Sequence, residues 1–394
     1  MGAAAVESDM PAPAKGLKVK SPASSGRVVI VSHHALPHVG GVEVLVDQEI
    51  RALISEGRAV THITSDLLGS AEVPAYPTSV SVVRVPAWHV LERKARLAYP
   101  VFSPSIFTTM WRAIGEADVV HVHGFIFMSS VVATLVAALR GKPVVLTDHG
   151  GIMPLSSRRL DLLMKAASFT VGRITTRIAK KLIAYNMRVL RDLERLSGRV
   201  DKSLFLPYPV NTQLFHPPSP EERAATRKEL GWSDERPKVL FAGRITEDKG
   251  CLLLLAAKSD AFDLVFVGPG NPDILNLPRQ GVTYLPPRPQ RDLVKLYYAS
   301  DLFVLPSRPG REGFPIATRA ALACGLKAVM SYEDGYAPYR RVPNLLFCEP
   351  LSPENLRATI ERALRAPLQR AVDDPDFGIT PAKWVGRIYA GILA

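Results

Sequence analysis

The stretch DLFVLPSRPGREGFPIATRAALACG, residues 301–325, decides the fold. Its apolar run LFVL predicts a buried β-strand, which a loop rich in Pro, Gly and Arg follows. A helix is expected to begin near Pro315, where proline loses no hydrogen bond, and to end at the C-cap Gly325. Glu312 and the backbone N–H groups from Gly313 onward then lie at the carboxyl end of the strand, where parallel sheets bind ligands. This arrangement predicts a site for a phosphorylated, hydroxyl-rich ligand; an ordinary strand–loop–helix unit is the alternative.

The same alternation of strands and helices recurs on both sides of this stretch. In the first half, β-branched runs predict strands at residues 27–33, 59–65, 81–87, 118–124, 143–150 and 180–186. In the second half, they predict strands at residues 238–244, 263–268, 282–286, 302–307 and 327–331. Strands that alternate with helices form βαβ units. We therefore predict an α/β fold of two Rossmann-like parallel-sheet domains that face a central cleft.

Local composition predicts the domain boundaries. The first 26 residues are rich in Ala, Pro, Ser and Lys and lack the apolar stretch of a signal peptide, so we expect a disordered leader. Prolines and polar residues cluster between positions 207 and 220, which is typical of an interdomain linker. The predicted units are a leader over 1–26, an N-terminal domain over 27–207, a C-terminal domain over 208–379 and a final helix over 380–394.

Composition and charge limit the classes of function. The 394 residues are 47% hydrophobic and 22% charged, which is typical of a soluble two-domain protein, and no apolar run approaches the ~20 residues of a membrane span. Three cysteines without metal-ligand spacing indicate reduced thiols and a cytoplasmic protein. The net charge of +12 indicates a phosphorylated ligand, an anionic membrane or a nucleic acid as partner, or simply a basic surface. Nucleic acid is disfavoured because the basic residues do not alternate with an aromatic platform.

Two glycine-containing turns fall short of a dinucleotide-binding fingerprint. Gly268 and Gly270 follow a predicted strand, but a third glycine is missing and Asn271-Pro272 prevents a helix from starting there. Gly40-Gly41 is likewise only a pair. An NAD-dependent oxidoreductase is therefore disfavoured.

Three further sets of residues follow predicted strands. Gly40-Gly41 would let the backbone approach an anion, and His149 could donate to a sugar hydroxyl or shield developing charge. Arg244 and Lys249 would form a clamp for a diphosphate. A flexible turn, a structural histidine and a charge run neutralised by residues 247–248 are the respective alternatives.

These motifs together resemble a known family. The Gly-Gly pair, the HG dipeptide at 149–150, the GR…KG pattern at 243–250, and EGFP at 312–315 followed by A-x-x-x-G occur in the order seen in the retaining glycosyltransferases of family 4. The resemblance covers nearly the whole chain after residue 26. It implies the GT-B fold, with a nucleotide-sugar donor held mostly by the C-terminal domain and an acceptor held by the N-terminal domain.

The resemblance also implies roles for individual residues. Arg244 and Lys249 would neutralise the donor diphosphate, Glu312 would hold a hydroxyl of the donor sugar, and His149 would face that sugar from the N-terminal domain. The amides of residues 313–316 would bind sugar and phosphate, and the loop 286–290 would meet the base. The implied catalytic residues are His149, Glu312, Arg244 and Lys249. The implied donor-binding residues are Gly40, Gly41, Gly243, Arg244, Lys249, Arg288, Glu312, Gly313, Phe314, Pro315 and Ile316.

The chain departs from the family pattern at two places. A second Glu usually follows the first by eight positions and holds the nucleotide ribose, but here Ala320 occupies that position, beside Thr318 and Arg319. The usual Asn-Gly-Val-Asp of the interdomain link is replaced by Tyr-Pro-Val-Asn at positions 208–211. Loss of a ribose hydrogen bond to a charged acceptor would cost about 1.5–3 kcal/mol of donor affinity.

The expected chemistry is metal-independent transfer of a hexosyl unit from a UDP- or GDP-sugar to an acceptor hydroxyl. Charge develops on the departing diphosphate, and fixed cations and helix N-termini would stabilise it. No Asp-x-Asp sequence suited to a metal-bound diphosphate follows a predicted strand, so neither a metal site nor a cofactor is expected. In retaining members of this fold a donor phosphate oxygen is thought to take the acceptor's proton, which fits the lack of a paired-carboxylate motif.

A basic, apolar segment indicates where the acceptor comes from. Seven basic residues lie between positions 155 and 181, together with one acid, Asp161, and many apolar residues. The basic residues are Arg158, Arg159, Lys165, Arg173, Arg177, Lys180 and Lys181. A basic amphipathic helix can lie on an anionic membrane, which would place the protein at the inner face of the membrane with a lipid-linked or polysaccharide-precursor acceptor. A solvated helix face and a soluble acceptor are the alternatives.

Two other functions are compatible with this architecture. A sugar-nucleotide epimerase would need acid and base groups in the cleft but no acceptor, and a non-catalytic nucleotide-sugar-binding protein would fit the loss of the second Glu at Ala320. The EGFP and GR…KG motifs favour transfer over both.

Overall fold

The computed structural model describes residues 26–38, 40–68, 73–95, 99–152, 158–233, 235–368 and 379–393. The predicted leader, except for Gly26, lies outside these residues.

The first half of the chain forms a seven-stranded parallel sheet in the order β3-β2-β1-β6-β7-β8-β9, and the two remaining strands form a short antiparallel pair. The strands are β1 (Arg27–Val31), β2 (Ala59–Ser65), β3 (Val80–Val85), β4 (Ala87–Trp88), β5 (Val101–Phe102), β6 (Val119–His123), β7 (Val144–Asp148), β8 (Lys181–Ala184) and β9 (Ser203–Phe205). Strands β1, β6 and β7 are rich in β-branched residues and buried on both faces, as strands of a covered parallel sheet must be. In register, Val28 of β1 pairs with Val60 of β2 and Val119 of β6.

The second half forms a six-stranded parallel sheet in the order β12-β11-β10-β13-β14-β15. Its strands are β10 (Lys238–Ala242), β11 (Asp263–Val267), β12 (Val282–Leu285), β13 (Leu302–Leu305), β14 (Lys327–Ser331) and β15 (Leu345–Cys348). Numbered within this sheet, the order is 3-2-1-4-5-6, the order of a Rossmann domain. The predicted α/β class is confirmed.

Helices connect the strands. They are α1 (Gly41–Ser55), α2 (Val90–Ala95), α3 (Ser105–Gly115), α4 (Met128–Leu139), α5 (Arg158–Ala167), α6 (Arg173–Ile178), α7 (Met187–Ser197), α8 (Pro220–Glu229), α9 (Cys251–Ala256), α10 (Gln290–Ala299), α11 (Ile316–Ala323), α12 (Pro353–Arg365) and α13 (Pro381–Tyr389). A π-helical turn, Ser168–Gly172, joins α5 to α6, and 3₁₀ turns span Glu247–Lys249, Pro272–Leu275 and Asp334–Arg341. As expected, α11 has Pro315 at its N-cap and is followed by Gly325, whose φ of +78° suits glycine.

The last helix, α13, packs against the first half of the chain. Trp384 is fully buried, and the hydroxyl of Tyr389 donates to Glu49 of α1 at 2.5 Å. The ammonium of Lys181 donates to the carbonyls of Ile388 and Ala390 at the end of the helix, at 2.6 and 3.0 Å. Cations at a helix C-terminus satisfy its free carbonyls and its dipole. One hydrophobic cluster therefore contains residues of both halves and of α13.

Candidate active site

The predicted site residues gather where the two sheets change winding direction. Gly40 and Gly41 follow β1, Arg244 follows β10, and Glu312 follows β13, the strand beside β10. In open α/β sheets the crevice at this switch point holds the ligand. The two halves touch here, because a Cβ at Gly41 would lie 3.5 Å from Cδ1 of Ile316. The glycine pair and the start of α11 thus form opposite walls of one site.

At the centre of the second half, Lys249 and Glu312 form an ion pair. The Lys249 ammonium bonds to Oε1 of Glu312, which also accepts the Ser307 hydroxyl at 2.7 Å. The two side chains are 20% and 11% exposed. The alternative that Glu247 and Asp248 neutralise Lys249 is wrong, because these two carboxylates lie beside Arg308. The half-buried pair keeps an ammonium and a carboxylate ready for a polar ligand.

The guanidinium of Arg244 faces solvent. Its residue is exposed, and among the described residues no carboxylate lies within ion-pairing distance. A cation without a protein counterion at the end of the first strand of a Rossmann sheet is available to an anionic ligand. The N–H of Gly243, which precedes Arg244, donates to the carbonyl of Val267 at 3.0 Å, and this hydrogen bond holds the loop. Arg288 is exposed in the loop after β12, at the edge of the same sheet.

The backbone at the start of α11 offers hydrogen-bond donors. The amides of Gly313, Phe314 and Ile316 have no acceptor among the described residues, whereas Pro315 has no N–H and contributes none. The expectation of a donor at every position from 313 to 316 is therefore corrected to three. The Phe314 ring does not face the cleft: it is buried and stacks on Tyr339 at 3.9 Å. Phe314 acts through its backbone.

His149 and Gly313 meet across the cleft. A Cβ at Gly313 would lie only 2.2 Å from the carbonyl oxygen of His149, so the position requires glycine. Nδ1 of His149 lies 2.7 Å from the hydroxyl of Tyr208, and its Nε2 lies 3.1 Å from Nδ1 of His123. Burial, helped by His123, holds the pKa of His149 well below its usual range, so the ring is neutral. With both nitrogens engaged, the ring has no free donor for the hydroxyl of a ligand.

A buried polar chain extends inward from His149. Nε2 of His123 lies 3.1 Å from Glu49, and Nδ1 of His121 and the Tyr389 hydroxyl also bond to this carboxylate. Burial alone would raise the pKa of Glu49, but His121 and His123 hold this pKa below its usual value. One set of tautomers satisfies every contact: Tyr208 donates to His149, His149 to His123, and His123 to Glu49. This chain of hydrogen bonds holds the His149 ring in place from the side of the core.

Three residues at the domain contact were missed by the sequence analysis. The amide of Asn186 donates to the carbonyl of Gly313 at 2.8 Å and bonds to Glu333. Arg188 reaches the carbonyls of Gly150 and Glu312 at 3.2 and 3.3 Å. These contacts bring the loops of His149 and Glu312 together. Asn186 caps α7, and a cap motif alone gives no sign of a second role.

The helix α11 supplies no substitute for the missing second Glu. Ala320 is buried, and Thr318 and Arg319 are 0% and 1% exposed, so their side chains face the interior. Burial raises the pKa of Tyr339, and the nearby charge of Arg319 offsets part of this rise. Any contact with a ribose must come from elsewhere in the site.

Two family models match the chain. Residues 39–214 match the model described as Glycosyltransferase Family 4, and residues 236–366 match Glycosyl transferases group 1. A solved structure of HepE from Anabaena, in complex with UDP and glucose, superposes with a TM-score of 0.64 at 17% identity, covering 93% of this chain and 95% of that one. WaaG, a glycosyltransferase involved in lipopolysaccharide biosynthesis, superposes with a TM-score of 0.61 over 92% and 95% of the two chains at 17% identity.

Curated relatives are enzymes of the same kind. D-inositol 3-phosphate glycosyltransferase 1 of Catenulispora acidiphila is 28% identical over 75% of each chain. A GDP-mannose-dependent mannosyltransferase of Corynebacterium glutamicum, which acts on a monoacylated phosphatidylinositol monomannoside, is 24% identical over 88% of this chain and 91% of its own. The matched models, the two Rossmann-like sheets and these relatives agree. The chain belongs to glycosyltransferase family 4 and is a glycosyltransferase with the GT-B fold.

Proposed function

We propose that the protein transfers a hexosyl unit, with retention and without a metal at the diphosphate, from a UDP- or GDP-sugar to an acceptor hydroxyl. The observation that carries this proposal is the contact between Lys249 and Glu312. A cation suited to a diphosphate touches a carboxylate suited to a sugar hydroxyl. The groups that they bind must therefore be adjacent, as sugar and diphosphate are in a sugar nucleotide.

Fixed donors supply the stabilisation that bond cleavage needs. Charge grows on the departing diphosphate. Lys249 contacts Glu312, the amides of Gly313, Phe314 and Ile316 have no acceptor among the described residues, and Arg244 is exposed after the neighbouring strand β10. Preorganised donors of this kind each contribute about 10²–10³-fold to a rate. Gly41 lets the backbone of the first half approach from the opposite side.

The state of the candidate bases supports retention. Glu312 is paired with Lys249 and Ser307, and the neutral His149 has both ring nitrogens engaged. Neither group is free to take a proton from an incoming hydroxyl, and inversion requires a base that does so on the face opposite the leaving group. A phosphate oxygen of the donor, on the same face as the acceptor, is then the base.

The segment around α5 supports an acceptor at a membrane surface. No residue of α5 is buried, and Leu162 and Leu163 are 70% and 63% exposed beside Phe169 and Ile174, which are also exposed. Six basic residues of the segment are exposed: Arg158, Arg159, Lys165, Arg173, Arg177 and Lys180. Lys181 does not belong to this face, because it caps α13, and Lys180 lies beside it at the carbonyl of Gly391. The assignment of Lys181 to the membrane-facing set was wrong.

Such a surface can rest on anionic lipid. No helix in the described part of the chain has the length and apolar character to cross a bilayer. We propose a peripheral protein of the cytoplasmic face whose acceptor is lipid-linked or a polysaccharide precursor. The phosphatidylinositol mannoside and lipopolysaccharide named for two similar proteins are in keeping with this.

A thermal-shift screen against UDP, GDP, ADP and TDP and their sugar conjugates tests the donor. A nucleotide at 100 times its Kd adds about 2.7 kcal/mol to the free energy of unfolding, and this stabilisation should be lost in Arg244→Ala. Nucleotide release from the identified donor is then measured with and without acceptors. Release that requires an acceptor supports transfer; turnover without one would indicate epimerisation, and binding without any release would indicate a non-catalytic protein. ¹H NMR of the product's anomeric configuration tests retention.

A further inference from the structure

The N-terminal half contains a second polar cluster, formed by two histidines and one glutamate. His34 lies in the loop between β1 and α1, His89 lies between β4 and α2, and Glu92 lies in α2. Nε2 of His34 is 3.2 Å from Oε2 of Glu92, and Nδ1 of His89 is 3.8 Å from the same oxygen. All three atoms are buried, and none of the three makes a hydrogen bond within the described residues.

The other nitrogen of each histidine is held by a partner. Nδ1 of His34 lies 2.9 Å from the hydroxyl of Ser65, and Nε2 of His89 lies 3.2 Å from Oδ1 of Asp66. Histidines that bind metals are oriented in this way, since a bond at one nitrogen directs the lone pair of the other to the ion.

We propose that Nε2 of His34, Nδ1 of His89 and Oε2 of Glu92 bind one divalent transition-metal ion, with Zn²⁺ the best match. Ligand atoms around tetrahedral zinc lie about 3.4 Å from one another, given bonds of about 2.0–2.1 Å. The two separations of 3.2 and 3.8 Å bracket this value. A set of two His and one Glu leaves a fourth position for water.

A second group of two His and one Glu provides an internal comparison. His121 and His123 also flank a buried carboxylate, that of Glu49, but each is hydrogen-bonded to it directly. The nitrogens of His121 and His123 and the carboxylate of Glu49 are therefore hydrogen-bonded without an ion. Around Glu92 three polar atoms converge unsatisfied, an arrangement that is costly without a cation between them. The sequence analysis expected no metal site because no Asp-x-Asp sequence follows a predicted strand. It could not find this set, since α1 and the strands β2, β3 and β4 separate His34 from His89 in the chain.

The ion would tie three segments together. The loop from His34 leads to Gly40 and Gly41, where the first half meets the start of α11. Binding would anchor this loop to α2. The role is structural, and the proposed metal-free handling of the diphosphate is unaffected. The 28% exposure of the Glu92 side chain gives an ion a path to the site.

Metal titration of the whole, tag-free protein tests the proposal. Protein stripped with a chelator and dialysed is titrated with Zn²⁺ and, for its visible spectrum, with Co²⁺. We expect one equivalent to bind, with the intense d–d absorption of tetrahedral Co²⁺. Asp66→Asn, which changes only an orienting partner, should weaken binding by about 10- to 100-fold, and Glu92→Gln should weaken it further.

Both changes are at partly exposed side chains, so the variants should fold, which circular dichroism checks. His216→Gln is the matched control, because His216 lies in the second half and bonds to Tyr298. It should bind the ion as the wild type does. No uptake of either metal by the wild type, or uptake that is unchanged in Glu92→Gln, would overturn the proposal; the latter would assign the ion to other residues.

Discussion

Lys249 and Glu312, 63 positions apart in the chain, form a half-buried ion pair at the carboxyl ends of neighbouring strands. The pair joins the two groups to which we assign the diphosphate and the sugar. Removal of either residue leaves its partner poorly solvated, so effects on stability and on catalysis have to be measured separately.

For Lys249→Ala, we expect kcat to fall by about 10²–10³-fold, because a fixed cation no longer faces the leaving diphosphate. Lys258→Ala is a matched control, since Lys258 is outside the cleft and bonds to the carbonyl of Ser259. Steady-state kinetics with the donor found by the thermal screen give kcat, and urea unfolding gives stability. Full activity in a folded Lys249→Ala protein would contradict the assigned role.

For Tyr208→Phe, we expect a fall in kcat of about tenfold with little change in nucleotide Kd. The lost hydroxyl orients the His149 ring, and one neutral hydrogen bond is worth about 0.5–1.5 kcal/mol. Tyr339→Phe removes a similar buried hydroxyl, bonded to the carbonyl of Tyr185, without touching His149. Equal effects of the two changes on kcat would show that the Tyr208 contact is merely structural.

For Gly313→Ala, we expect a folded protein with at least about 100-fold lower activity. The added Cβ would lie 2.2 Å from the carbonyl of His149 and would push the facing loops apart, and misplacement by about 1 Å can cost a factor of 100. The matched change is Gly386→Ala in α13, where a Cβ meets nothing within 4 Å. That variant should gain about 0.5–1 kcal/mol of stability at full activity.

The buried imidazole of His62 should cause part of the protein's loss of stability at acid pH. Its pKa is lowered to about 3, chiefly by burial and then by His123 and Arg84, against the opposing charge of Glu49. Because the folded-state pKa lies below the unfolded value of about 6.5, the unfolded chain takes up the proton first. Stability from this residue is complete above pH 6.5 and is lost as the pH falls toward 3, by up to about 1.4 kcal/mol per pH unit.

Urea unfolding at pH 7.0, 6.0 and 5.0 measures this slope. His62→Gln retains a polar group for its contact with Ser32 but cannot take up the proton, so its slope should be smaller by up to one proton. Identical slopes for the variant and the wild type would assign the acid sensitivity to other groups.

Replacement of Leu162 and Leu163 by Ser should weaken vesicle binding by about tenfold or more, since both leucines are exposed on the basic segment. Co-sedimentation is measured with vesicles of phosphatidylglycerol and of phosphatidylcholine. Leu139→Ser is the control, because Leu139 is 76% exposed on α4, outside this segment. Binding that is the same for both lipids, or insensitive to the Leu162/Leu163 change, would exclude the proposed surface.

The fold could be predicted because its signals are local. Buried parallel strands are runs of β-branched residues, and turns after them carry Gly, Pro and charged residues, so Arg244, Glu312 and His149 could be placed at strand ends. The short strands β4, β5 and β9 were missed, and β15 was too, because Leu345–Cys348 lacks a β-branched run. The family resemblance and the enzyme class were likewise confirmed.

Side-chain pairing could not be predicted in the same way. The ion pair of Lys249, the bond from Asn186 to Gly313 and the chain from Tyr208 to Glu49 join residues that are far apart in sequence. Such contacts depend on the final arrangement of the strands. Nearby charges such as Glu247 were therefore the only partners that sequence reasoning could offer for Lys249.

The burial of α13 against α1 has a consequence for how the protein melts. Trp384, Val385 and Ile388 belong to the last helix of the chain but lie in a cluster shared with the first half. The two halves should therefore lose structure together, giving a single heat-absorption peak in calorimetry. A C-terminal fragment that begins at the predicted linker would expose these apolar residues to solvent, because α1 is missing, and would aggregate. A fragment that also ends before Ile379 would not contain them.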